Sequence, residues 1–484
     1  MSTTSASAGP TASRPRGTSR GRGPQDAELP IRPGLLLAVL AITQLTIQLD
    51  TTIVTVALPS AQADLGISDA DRHWVVTAYA ITFGGLLLLG GRVGDYLGRK
   101  RALVWSLVGF GIASLLGGFA GSAGLLYAAR ALQGAFGAVL APVVLSLITT
   151  NFTEPAQRAK AFAVWGGVGG LGASLGLILG GVLTEYTSWR WTLLVNAPLA
   201  IAIAVAALLV VRETKVAVRG RLDLPGTVTS TLGVAAIVYG ATLAEAYGWA
   251  SVQALAPIVG GLLLLAAFVG IEHRTKDPLL PLSVLTDRVR GSAFGATALL
   301  AGAIFASNVL IIYYLQQVRG YNALESGLAF LPTTLAVLIF ATVGGRLMLR
   351  FGPRVVIATG AASGVAGFLI LASASSATGL AVLLPAMALV GAAVGLSWPA
   401  LSATALTGVP DEHSGAAGGT VNAAQQVSGA VVIAVLNTVA ATVTVGSGSL
   451  MDGLSVALLV CAGLMVATVL VSLNITVPRE RTQS

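Results

Sequence analysis

Two ionisable residues stand inside runs that are otherwise apolar: Asp50 in LDTTIVTVALP, Leu49 to Pro59, and Arg130 in RALQGAFG, Arg130 to Gly137. A lone charge in hydrocarbon is costly and usually functional. A carboxylate there needs a proton or a cationic partner, and a guanidinium that approaches or withdraws switches it between the two. The depths agree. Asp50 lies about 12 Å from the end of its run at Leu58 and Arg130 about 10 Å from the start of its own, at roughly 1.5 Å per helical residue. The pair either carries a proton through a cycle or joins two helices as a static bridge.

A second constellation is uncharged. Asn422, Gln425 and Gln426 recur at i, i+3 and i+4 in an apolar run, so they share one helix face. That stripe is either a ligand-facing wall or a set of interhelical hydrogen bonds. Asn308 and Trp398 extend it as further pocket candidates. The histidines, His73, His273 and His413, fall in loops and form no metal cluster, and Cys461, the only cysteine, excludes an internal disulfide and a cysteine-based metal site. No G-x-x-x-x-G-K-[ST] motif is present, which excludes an ATP-driven pump of the usual kind on this chain. Neither a catalytic nucleophile cluster nor a metal site is expected.

The elements that must hold these groups are membrane spans. Hydrophobic residues make up 55% of the 484, charged residues only 10%, and the net charge of +8 sits in alternate loops, where it orients the chain and does not form a nucleic-acid stripe. Fourteen apolar runs are long enough to cross about 30 Å of hydrocarbon. They are read as Leu35 to Leu58, Trp74 to Gly91, Ala102 to Ala120, Ala123 to Thr149, Ala161 to Leu183, Trp191 to Val211, a central pair Pro225 to Tyr247 and Val252 to Ile271, then Ser292 to Leu315, Gly327 to Leu349, Val355 to Ala374, Gly379 to Thr404, Gly415 to Ala441 and Leu454 to Leu473. Arg and Lys concentrate in the loops that an even count places inside, so both termini are expected in the cytoplasm. Tyr313 and Tyr314 are expected in an outer aromatic belt, and Glu185, Glu245, Glu272 and Glu325 at solvated boundaries.

Organisation follows from an internal repeat. GRVGDYLGRK, Gly91 to Lys100, recurs as GRLMLRFGPR, Gly345 to Arg354, each copy ending a span that runs inward; Leu349 replaces Asp95 in the second. The expected plan is a basic tail 1–32, a six-helix bundle 33–212, a central helix pair 213–290, a second six-helix bundle 291–474, and a tail 475–484, an all-α membrane protein of fourteen transmembrane helices. In the first copy Gly91, Gly94 and Gly98 leave a helix face nearly free of side chains, Asp95 lies on another face, and Arg99, Lys100 and Arg101 form a basic turn.

That turn resembles the signature loop G-x-x-x-D-x-x-G-[RK]-[RK] of the major facilitator superfamily. Arg130, Gln133, Gly134 and Gly137 resemble its fourth-span motif R-x-x-Q-G-x-x-G. Gly172, Gly176, Gly180 and Gly181 resemble the antiporter motif G-x-x-x-G-P-x-x-G-G, with Leu177 in place of the proline, so the kink that proline would give is missing from the sequence. Together with the fourteen spans, these resemble the EmrB/QacA-type drug:H+ antiporters. The resemblance implies a major facilitator fold and export of small amphipathic compounds from the plasma membrane by alternating access. It further implies coupling through Arg130, a capping role for Asp95 near Ser414 and Gly415, and no cofactor beyond the proton gradient. The expected partners are a neutral or monocationic substrate, protons and the bilayer, with no nucleic acid and a monomeric chain. A symporter on the same fold is the nearer alternative, and a membrane sensor or enzyme the more distant one.

Overall fold

The computed structural model describes residues 33–68, 71, 74–213, 223–275, 286–410 and 413–475. Nearly all of both expected tails lies outside them, as do parts of the basic loops around the central pair and His73. Among the described residues there are helices and no strands. Thirteen are long and apolar enough to cross a membrane, and a 32-residue helix, Pro155–Tyr186, completes a set of fourteen.

In chain order they are α1 Pro33–Leu65, α2 Trp74–Leu97, α3 Arg99–Gly118, α4 Ala123–Asn151, α5 Pro155–Tyr186 and α6 Trp191–Val210. The central pair is α7 Leu224–Tyr247 and α8 Val252–Glu272. Then come α9 Arg288–Val318, α10 Leu331–Phe351, α11 Pro353–Ala372, α12 Leu380–Ala405, α13 Ser414–Ser447 and α14 Leu450–Ser472. Local chemistry sets the ends. Ser122 caps α4 through the Leu125 amide, and Pro155 and Pro353 start α5 and α11, where a missing N–H costs nothing. Asn322 and Glu325 form a capping box ahead of α10.

Several spans outrun their apolar cores, α1 by seven residues past Leu58 and α13 by six past Ala441, because helix continues into the polar margin where hydropathy no longer reports it. Two expectations about margins are corrected. Tyr314 points inward, 7% exposed, and its hydroxyl donates to Ser375 O at 3.0 Å, so only Tyr313 faces outward. Glu272 is buried, 4% exposed, instead of solvated.

The halves meet along two diagonal seams, α2 against α13 and α5 against α10, with α4 also touching α13 and α5 touching α12. The repeat explains this symmetry: Gly91 lets α2 approach Gly415 of α13, and Gly345 lets α10 approach Ala159 O of α5, 3.4 Å from where its Cβ would stand. The central pair packs on itself and leans on α2 and α13. In its most apolar stretch α8 is only 17% buried, which leaves its remaining face to lipid.

Candidate functional site

Asp50 is fully buried at the centre of a polar cluster drawn from four other helices. Arg130 Nη1 of α4 donates to Asp50 Oδ2 at 2.7 Å, while Gln133 Nε2 and Asn196 Nδ2 donate to Oδ1 at 3.0 and 2.7 Å. Arg130 Nη1 also reaches Gln133 Oε1 at 2.9 Å, Arg130 Nε reaches Val75 O of α2 at 3.1 Å, and Gln133 Nε2 donates to Ser114 Oγ of α3 at 2.8 Å. Asp50 and Arg130, which agree in depth along their runs, are thus in direct contact. Three hydrogen bonds converge on this one carboxylate.

Asn196 was not singled out by the sequence. It sits where α6 breaks for one residue, between Trp191–Leu194 and Asn196–Val210. The available signal was a solitary amide in an apolar run, two residues before Pro198.

The motif glycines place this cluster. A Cβ on Gly134 would strike Thr82 and Tyr79 O, and one on Gly137 would lie 3.0 Å from the Phe83 ring, so both seat α2 against α4. On α5, a Cβ on Gly172 would lie 2.8 Å from Gln48 Cβ, one on Gly176 would strike Thr52, and one on Gly180 would lie 2.7 Å from Ile53 O. Those three let α5 lie directly on the α1 turns that carry Asp50. Gly181 differs from that expectation: nothing stands within 4 Å of its Cβ position, so it contributes no close approach. With Leu177 in the proline position, α5 runs unbroken.

All five pocket candidates, Asn308, Trp398, Asn422, Gln425 and Gln426 among them, line one cavity of about 270 Å³ between the halves. The sequence reading missed the opposite wall: Gln44, Gln48, Thr52 and Thr55 from α1, Phe83 from α2 and Trp165 from α5. Their spacing on α1 is helical, but the eye goes to the charge beside them. Among the described residues no lining side chain is charged, and Asp50 is not one of them. Asn422 Nδ2 bonds Gly418 O of its own helix at 2.9 Å, and Trp398 tilts against Phe305 with centroids 6.0 Å apart. Thr55, towards one end of α1, is exposed, so the cavity leads towards that face.

At the other face the helices close. Gly91 and Gly415 touch backbone to backbone, Arg99 Nη2 donates to Ser414 Oγ at 2.7 Å, Ser146 and Ser414 hydroxyls bond at 2.7 Å, and Arg158 Nη2 reaches Leu406 O at 3.3 Å. Asp95, 2% exposed, lies 3.5 Å from Arg99 Nη2 and over the first turn of α13, its Oδ2 2.7 Å from where a Gly415 Cβ would stand. A carboxylate in that position favours the positive end of the helix dipole. Gly94 is set against Val143 of α4, 2.6 Å from its Cβ position. The basic turn has a partner that the sequence reading passed over: Glu213 accepts from the Lys100 and Arg101 amides, both at 3.3 Å, and caps α3. Gly98, at φ 92°, makes the single-residue turn and leaves room for that carboxylate. Lys100 Nζ donates to Leu208 O at 2.7 Å, and Arg101 Nε stands 3.8 Å from Glu213. In the repeat copy, Leu349 is 53% exposed, so only the first half carries the buried acid.

Two helical bundles closed at one face around an uncharged central cavity define a multi-pass membrane transporter. The chain belongs to the Major Facilitator Superfamily, whose sequence profile matches residues 40–433. It is 44% identical over 414 residues to the puromycin resistance protein pur8 of Streptomyces alboniger, covering 84% of this chain and 82% of that one. It is 39% identical over 423 residues to the cephamycin export protein CmcT of Amycolatopsis lactamdurans, covering 84% and 85%. The crystal structure of the human organic anion transporter MFSD10 (TETRAN) shares the fold, with a TM-score of 0.66 at 17% identity over 92% of this chain and 100% of that one.

Proposed function

We propose that the protein is a proton-coupled exporter of small amphipathic compounds, antibiotics among them, and that it works by alternating access without a cofactor or a catalytic step. The observation that carries this is the separation of two sites: an uncharged cavity between the bundles, and a buried Asp50–Arg130 pair behind its wall in the first half. An uncharged cavity with amide and hydroxyl groups set among apolar side chains suits a neutral or singly cationic amphipath. The relatives' names, resistance and export, support the direction. With the closed face assigned to the cytoplasm by its Arg99 to Arg101 turn, the arrangement corresponds to an outward-facing state of a plasma-membrane protein with cytoplasmic termini.

Proton coupling then follows from electrostatics. A proton on Asp50 turns the ion pair into a carboxylic acid beside a guanidinium, raising the buried net charge from zero to plus one and weakening the contact. The test is expression in an efflux-deficient bacterium, paired with transport in inverted vesicles. Raised resistance with proton-driven uptake into the vesicles is expected; sensitisation to the same compounds would favour the importer.

A further inference from the structure

The cavity and Asp50 do not touch, yet a transporter that exchanges substrate for protons needs a physical link between them. We infer that Phe83 and Tyr79 of α2 are that link, positioning residues through which substrate in the cavity controls the Asp50–Arg130 contact. The inference rests on the exporter reading above. Phe83 lines the cavity. One turn away, Tyr79 stacks on it, ring centroids 5.4 Å apart and planes 12° from parallel, and the Arg130 guanidinium lies over the Tyr79 ring, 4.5 Å from its centroid. Both rings are nearly buried, at 3% and 5% exposure, so neither moves without displacing its neighbour. Among the described residues the Tyr79 hydroxyl has no hydrogen-bond partner, so no hydrogen bond ties that ring in place. The fourth-span motif acquires a physical reading: Gly134 and Gly137 hold no side chain because the Tyr79 and Phe83 turns occupy that space.

The groups facing Asp50 limit what else could set its protonation. Arg130 and Gln133 come from α4, Asn196 from α6 and Tyr79 from α2, and Ser114 of α3 stands behind Gln133, while Gly176 of α5 packs on the neighbouring Leu49 and Thr52. Among the described residues Arg130 is the only cation there. A substrate pressed on Phe83 holds Tyr79 under Arg130 and Arg130 on Asp50, which favours the carboxylate. A proton that binds Asp50 forms an O–H bond, releases Arg130 from the pair, and lets Tyr79 and Phe83 relax, which weakens the substrate's seat. By linkage the two effects are equal.

The experiment uses the purified full chain and the neutral fluorescent probe N-phenyl-1-naphthylamine, with probe affinity measured from acid to alkaline pH and proton release followed by a pH dye. Wild type should bind the probe about tenfold more weakly once Asp50 is protonated and release protons on binding. Tyr79→Leu should flatten that pH profile, with alkaline affinity little changed, and Tyr79→Phe, which keeps the stack, should restore it. Phe83→Leu should flatten it likewise, and it serves where Tyr79→Leu does not accumulate. A Tyr79→Leu or Phe83→Leu protein with the wild-type pH profile would overturn the relay while leaving the exporter reading intact. A wild-type profile as flat as that of Asp50→Asn would instead overturn proton coupling, and the relay with it.

Discussion

Gly91 of α2 and Gly415 of α13 stand so close that a Cβ on either would fall against the carbonyl oxygen of the other. Backbone cannot yield there as a flexible side chain would. Overpacking of this kind costs about 1–3 kcal/mol, and the cost falls only on the state in which this face is closed. Gly91→Ala or Gly415→Ala should therefore shift the population towards the opposite access state by about tenfold. A reporter cysteine at Ser146, in a Cys461→Ala background, should become reactive to a water-soluble thiol reagent from that face. Unchanged reactivity would mean that the seam does not gate.

Asp95→Asn should act in the same direction and more gently. The carboxylate lies over the first turn of α13, an arrangement that contributes about 0.3–1 kcal/mol when exposed and up to about 2 kcal/mol when partly buried. Turnover is expected to fall while substrate affinity in the open state is kept. An equal loss of both would point to a folding defect instead.

Gly176 and Gly181 offer an internal contrast within one motif. Gly176→Ala would put a methyl group into Thr52 on the helix that carries Asp50, whereas Gly181→Ala would meet nothing within 4 Å. The first should lower thermal stability and transport together. The second should leave both unchanged, as alanine is the better helix former. If Gly181→Ala proved as harmful as Gly176→Ala, the motif would be acting through something other than packing on α1.

Much of this arrangement was legible because membranes make charge conspicuous. Asp50 and Arg130 stood out in apolar runs, and matching depths paired them, since helical rise converts residue count into distance. The stripe Asn422, Gln425 and Gln426 identified one wall of the cavity for the same reason. What stayed hidden was long-range and uncharged. Asn196 meets Asp50 across 146 positions, and Glu213 caps α3 from 112 and 113 positions away. Gln44, Gln48 and Thr52 carry no charge to mark them, and only the packed structure puts them on the cavity wall. Gly181 fitted its place in a motif that departs only at Leu177, yet spacing alone could not say which way it pointed.

Stability should report on the buried pair independently of transport. Removing one partner of a buried ion pair typically costs about 3–5 kcal/mol, because the other charge is left without compensation. Arg130→Met should therefore lower the melting temperature more than the double variant Asp50→Asn with Arg130→Met does. If the double variant were the less stable one, Gln133 and Asn196 would have to be carrying more of the cluster than the ion pair does.

The stoichiometry of the cycle follows from where charge is found. Among the described residues the cavity lining holds no charge, and Asp50 is the one carboxylate in the polar cluster behind it. One proton should therefore enter per cycle. Export of a neutral compound then moves one net charge inward and gains about 2.3 kcal/mol per 100 mV of membrane potential, whereas export of a monocation is electroneutral. In reconstituted vesicles, collapsing the potential alone should slow transport of a neutral drug. Monocation transport should respond only to the pH gradient. Asp50→Asn should still bind drug and equilibrate it across the membrane, but it should no longer concentrate it, because no proton can be taken up and released at that position. An Asp50→Asn protein that still accumulates drug against its gradient would remove this carboxylate from the mechanism, and among the described residues the cavity wall holds no acid to replace it.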